Sequence, residues 1–175
     1  MHKEQIRCIS FNESQNYLIS CGDDNLINIY KLEKINKQWT TIQQIKVDQC
    51  GYRLCFIGEN QFVFQPRCSA KLEVYQYYND DYKYKKILEQ QVQTSQYCNH
   101  LFPQKWVKSK SILLNKAGNY LNVIKVHQNG QFLIEQVIDF GTACFYGTIS
   151  EDGNDIITWD YESNQIQIRR NSLII

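Results

Sequence analysis

The chain has 175 residues, 43% of them hydrophobic and 21% charged, with a formal net charge of +1. That length suits one domain with a full core, and the apolar share excludes a chain too polar to fold. The near-neutral charge excludes a dominant nucleic-acid or membrane-surface patch. The basic runs at Lys83–Lys86 and Lys105–Lys110 are short and read as solvated strand or loop faces. No apolar run approaches the ~18 residues of a membrane-spanning helix. Seven cysteines, an odd number with no signal peptide before them, do not form a disulfide framework; they point to a reducing, cytoplasmic setting.

Taken in order, the chain repeats one pattern. Residues 6–11 alternate as a strand, Tyr17 to Cys21 form a second, and Leu26 to Lys31 form a third after a turn at Gly22-Asp23-Asp24-Asn25. Gly and Asx residues in that turn supply positive φ and side-chain bonds to the backbone. A fourth strand runs over 39–47. Such a unit cannot bury its own face, and the sequence repeats it. The second unit has strands at 52–57, 61–66, 71–78 and 82–92. The third has them near 97–102, 110–115, 119–127 and 131–140, with Asn129-Gly130 as the strongest hairpin signal. The fourth has them at 143–150, 155–159 and 165–170, leaving Ser172 to Ile175 for an outer strand. The first strands align Phe11, Phe56, Phe102 and Ile149 at spacings of 45, 46 and 47. Helical periodicity is nowhere sustained. The expectation is all-β, with four-stranded antiparallel repeats over 6–47, 52–92, 97–140 and 143–175.

Leu18-Ile19-Ser20-Cys21-Gly22-Asp23-Asp24, followed by Leu26-Ile27-Asn28-Ile29-Tyr30-Lys31, resembles the Leu-x-Ser-Gly-Ser-x-Asp…Trp segment of a WD-repeat β-propeller blade. Tyr30 stands where the tryptophan usually sits. Ile149-Ser150-Glu151-Asp152-Gly153 is similar to the strand-end turn of the same family. The resemblance implies propeller blades, with Asp24 and Gly22 as structural turn residues. The family's Gly-His pair is absent from every unit, so its Asp–His–Ser/Thr–Trp network is expected not to form. Four units fall short of the usual seven, which implies an incomplete ring completed by upstream sequence or by another chain.

Catalytic and metal motifs are missing. No G-x-S-x-G, P-loop or G-x-G-x-x-G occurs, no Cys pair has zinc-knuckle spacing, and Asp23-Asp24 and Asp80-Asp81 read as turn residues. Cys8, Cys21, Cys55 and Cys144 read as small buried hydrophobes. Neither an enzyme nor a cofactor or metal site is expected. The resemblance implies a protein-interaction scaffold that docks partner proteins on its loop faces, here 22–25, 48–52, 67–70, 93–97, 117–119, 141–144 and 160–164. Tyr52, Arg53, Arg67 and Tyr97 are the expected anchors, since Tyr and Arg dominate binding surfaces. Two alternatives stand beside it. Ser20 to Asp24 and Trp39 are similar to the WD-repeat subunit of cytosolic iron–sulfur assembly. An RNA-associated or enzymatic propeller is the other; Tyr82-Lys83-Tyr84-Lys85-Lys86 could stack on bases, although strand alternation, with both tyrosines inward, explains it more simply.

Overall fold

A computed structural model describes residues 1–99 and 101–170. Among the described residues, fifteen strands form four antiparallel sheets. Strands β1 (Ile6–Phe11), β2 (Tyr17–Gly22), β3 (Leu26–Leu32) and β4 (Trp39–Lys46) make the first sheet in chain order. Strands β5 (Gly51–Phe56), β6 (Gln61–Pro66), β7 (Lys71–Tyr78) and β8 (Lys83–Gln91) make the second. The third contains β9 (Lys105–Val107), β10 (Ile112–Ala117), β11 (Tyr120–Val126) and β12 (Phe132–Asp139), and the fourth β13 (Phe145–Ile149), β14 (Asp155–Asp160) and β15 (Ile166–Arg170). Each sheet is a blade of the β-propeller type, with neighbouring strands joined by short turns. Residues 172–175, expected to carry a last outer strand, lie outside the described residues.

Burial follows the place of each strand in its blade. All six residues of β10 are buried, as befits a strand covered on both faces. The outer strand β12 alternates after Phe132, the period of a half-solvated edge. The chain divides into two compact units, one holding the first two blades and one the last two, and each has its own core. In the first unit Ile19, Ile27, Ile29, Leu54, Phe62 and Phe64 are buried together. Tyr84 lies against Phe56, Phe62 and Tyr77 at ring separations of 5.1–6.2 Å. Polar ties join the two blades there. The Gln43 amide donates to the Tyr84 carbonyl (2.9 Å) and accepts from its N–H (2.8 Å), and Ser10 Oγ accepts from Phe56 N (3.1 Å). Cys8 and Cys21 are cross-strand partners on β1 and β2. Their thiols donate to the Leu54 and Gly51 carbonyls of β5.

In the second unit Phe145 stacks on Phe140 at 4.0 Å and meets Phe102 edge-on at 5.6 Å. Lys116 is fully buried beneath them. Its ammonium lies 4.0 Å from the centre of the Phe145 ring and donates to Asn99 Oδ1 and to the carbonyls of Ala143 and Phe145, so the buried charge is fully coordinated.

Several expectations are corrected. The first strand of the third blade is not at 97–102 but at Lys105–Val107. Asn99 Oδ1 takes the Leu101 N–H in a local turn, Phe102 has φ +65°, and Pro103 has no N–H to give a ladder. Phe102 is therefore a buried loop residue, not the counterpart of Phe11 and Phe56, and Val107 takes the strand-end place. Phe11 itself is half exposed and rests on Trp39 at 5.7 Å. Tyr84 points inward, but Tyr82 is exposed in the turn before β8 with φ +54°. Of the four cysteines expected inside, Cys21 is buried, Cys8 and Cys55 are half-buried, and Cys144 is exposed. Gly22 does not supply the positive φ of its turn; Asn25 does, at +57°. Glycine is needed at 22 for space, because a Cβ there would lie 2.8 Å from the Gln5 carbonyl and 3.1 Å from His2 Nδ1. Among the described residues no helix is long and apolar enough to cross a membrane.

Candidate functional site

The turn between β2 and β3 does form a buried hydrogen-bond network. His2 Nδ1 donates to Asp24 (2.9 Å), Ser20 Oγ lies 2.7 Å from His2 Nε2, and the Lys3 N–H donates to Asp24 Oδ2 (2.8 Å). The side chains of His2 and Asp24 are 3% and 7% exposed. Burial pushes the Asp24 carboxyl up, but the hydrogen bonds from His2 and Lys3 reverse this and hold it below its ordinary value. The expectation that no Asp–His–Ser network forms is thus overturned. The histidine stands after Met1 rather than after a glycine, and its ring joins Asp24 to Ser20. The turn residues Ser20 to Asp24, which carry the likeness to the iron–sulfur assembly subunit, serve this network. Its bond order copies that of a hydrolase triad, yet Ser20 is 2% exposed within β2 and paired with Asn28. Its hydroxyl braces the turn rather than meeting a substrate.

A second cluster lies at the same end of the first two blades, and it is open to solvent. Strand pairing slips between Ile6 and Cys8 on β1, and again between Gly51 and Arg53 on β5. The extra residues are Arg7 and Tyr52, 45 positions apart. A bulge of this kind re-aims its side chain and shifts the alternation beyond it. Arg7 turns to the β2–β3 turn, where its Nε donates to both Asp23 oxygens at 2.8 and 2.9 Å and its Nη2 also bonds that carboxylate. The Arg7 guanidinium holds the Asp23 carboxyl below its ordinary value. The Cζ atoms of Arg7 and Arg67 are each 5.5 Å from the Tyr52 ring centre, within cation–π range. Arg67 is exposed. Among the described residues its guanidinium has no ion pair or side-chain hydrogen bond beyond this stacking. What the cluster offers chemically is a held aromatic face and one guanidinium fork open to an oxyanion.

The four anchors expected from sequence fare differently. Tyr52 and Arg67 come together in this cluster. Arg53, one residue past the bulge, is 1% exposed inside β5. Tyr97 is 78% exposed in the second unit, where Ser95 Oγ donates to its carbonyl. Sequence reading missed Arg7, Asp23 and His2. The spacing of 45 between Arg7 and Tyr52 was available as a signal. A separate cleft of about 330 Å³ lies between β4 and the outer half of the second blade. Glu73 in its wall already accepts from the Tyr75 hydroxyl (2.6 Å) and Lys86 Nζ (3.2 Å).

No protein-family model and no curated protein matches the chain. Solved structures do match, and they show the fold. Sqt1 of Chaetomium thermophilum is 15% identical with a TM-score of 0.74, over 97% of this chain and 44% of that one. The β-propeller domain of Cps50 (Swd1) from Myceliophteria thermophila is 12% identical with a TM-score of 0.63, over 96% and 53%. A Bacteroides uniformis protein provisionally named a 6-phosphogluconolactonase is 15% identical with a TM-score of 0.73, over 97% and 51%. The blades are β-propeller blades, and the chain spans about half the length of the propellers it matches. These neighbours correct one expectation. Propellers bearing an enzyme's name share the fold, so the absence of familiar catalytic motifs does not make this chain a non-enzyme.

Proposed function

We propose that the chain is a protein-interaction platform of the WD-repeat type, which receives partner proteins on the loop end of its first two blades. The observation that carries this reading is the pair of bulges that turn Arg7 and Tyr52 to that end beside Arg67. Rigid strands hold the cluster, and aromatic and arginine side chains are the usual anchors of interfaces. The His2–Asp24–Ser20 network supports the WD-repeat assignment, as do the propellers of Swd1 and Sqt1 among the neighbours. Tyr97 and the loops around it are proposed as a further contact area. Partner proteins in a reducing cytoplasm suit a chain with seven cysteines.

The test is proximity labelling from the full chain in cells, with Tyr52→Ala/Arg67→Glu compared against substitutions in the turn at the opposite end, Glu33→Ala/Lys37→Ala. Partners lost with the first pair and kept with the second support the platform. Equal labelling by both overturns this placement. Neighbours that bear an enzyme's name favour a second reading, hydrolysis of a sugar lactone. Turnover of 6-phosphogluconolactone by the purified chain above the uncatalysed rate would establish it.

A further inference from the structure

Resting on the platform reading, we infer that the partner segment received at Arg67 and Tyr52 is acidic, and that one of its carboxylates takes the guanidinium fork of Arg67. The two arginines of the cluster differ in what they have left to offer. Arg7 is consumed: its Nε and Nη2 both bond Asp23. Arg67 faces the same ring from the same distance, 5.5 Å, but it is exposed; its charge is felt by Asp23, yet among the described residues no carboxylate forms an ion pair or hydrogen bond with its guanidinium. The planar fork of an exposed guanidinium suits bidentate capture of a carboxylate. Asp23 is bonded to Arg7, so Arg67 is the guanidinium of this cluster whose fork is left for a partner.

The arrangement is also preorganised. Tyr52 stands on a bulge of β5, and β5 is fixed to the first blade by the Cys8 and Cys21 thiols and by Ser10. The ring needs little ordering when a partner arrives, and such savings raise affinity without new contacts. A basic segment brings only donors and would give the guanidinium fork no acceptor.

The probes are short fluorescein-labelled peptides of one length built from Glu-Leu-Gly, Gln-Leu-Gly, Lys-Leu-Gly or phosphoserine-Leu-Gly repeats, titrated into the full chain by fluorescence anisotropy. The Glu peptide should bind, more weakly as salt rises. R67A should weaken it about tenfold, and R67K should fall between, because lysine keeps the charge and loses the fork. Arg67 is exposed, so thermal melts of both variants should match the native chain. Equal binding of the Glu and Gln peptides, unchanged binding by R67A, or a response to phosphoserine alone would each overturn the inference. If R67A abolishes the Glu-peptide response while cellular partners are labelled as before, the acidic contact exists but is not the docking contact, and the inference fails while the platform stands. If the peptide response is absent and the Tyr52/Arg67 pair still loses its partners in cells, the platform again survives and the acidic partner does not.

Discussion

The first and third blades solve one packing problem with different chemistry. In both, the fourth residue of the second strand and the third residue of the third strand are cross-strand partners: Ser20 with Asn28, and Asn115 with Asn122. All four are buried. In the first blade the polar groups there lead to a charge, since Ser20 bonds His2 and His2 bonds Asp24. In the third they meet amides. Gln104 donates to Asn115 Oδ1 (2.7 Å), and Asn122 exchanges two bonds with the Gln93 backbone, at 2.9 and 3.0 Å. In the second blade the pair is Glu73, which bonds the Tyr75 hydroxyl and Lys86 Nζ, with Phe64. The Phe64 ring lies where a Cβ on residue 51 would be, 2.5 Å from the ideal position, so glycine is required there. One slot in a repeated scaffold can thus take Ser–Asn, Phe–Glu or Asn–Asn, and it tolerates an unmatched atom, since Asn28 Nδ2 has no hydrogen-bond partner among the described residues.

The comparison breaks most visibly at His2. His2→Ala leaves the Asp24 carboxylate buried with one of its donors gone, and should cost about 3 kcal/mol in urea unfolding of the first unit. A loss below about 1 kcal/mol would mean that water replaces the ring. Asn122→Ala in the third blade should cost about 2 kcal/mol, because no charge is stranded and the Gln93 backbone is near solvent. If its cost exceeds that of His2→Ala, the ionic and amidic versions have been ranked wrongly. Ser20→Ala removes one neutral donor to His2 and should cost about 1 kcal/mol.

The smallest effect is a slope, and it separates the blades by sign. The folded Asp24 carboxyl lies below its unfolded value. Its contribution is therefore full above the unfolded carboxylate pKa of about 3.9 and is lost as pH falls through the folded value. Hydrogen exchange in β2 and β3 should accelerate on acidification below about pH 4, while exchange in β10 and β11, braced by amides, should show no such step. Asp24→Asn should flatten the dependence in β2 and β3. An unaltered slope in that variant would place the titrating group elsewhere.

Much of the fold could be read from sequence because each blade announces itself locally. The bounds of β1, β6 and β7 follow from alternation between turn residues, and Asn129-Gly130 marks the hairpin from β11 to β12. What could not be read depends on register. A bulge leaves no trace in an alternating pattern, yet the one at Tyr52 sends Arg53 inward and leaves the tyrosine at the loop end. Phe102 has the right spacing for a strand end and the wrong backbone, because Pro103 and the Asn99 turn act against the ladder. The charged network was hidden for another reason. Its histidine lies 22 positions before its aspartate and lacks the glycine by which the family motif is recognised. The candidate site was half legible: the loops gave Tyr52 and Arg67, but only the paired bulges bring Arg7 beside them.

The two thiols that bond β5 have a consequence for how the first unit can be watched. Alkylating reagents attack the thiolate, and burial pushes the Cys21 thiol far above its ordinary range, so it is nearly inert while its proton is held by the Gly51 carbonyl. Cys8 is shifted the same way by the same cause. Reaction at Cys21 must then wait for β2 to part from β5. A slow label on this one sulfur is a clock built into the chain, ticking each time the first two blades come apart.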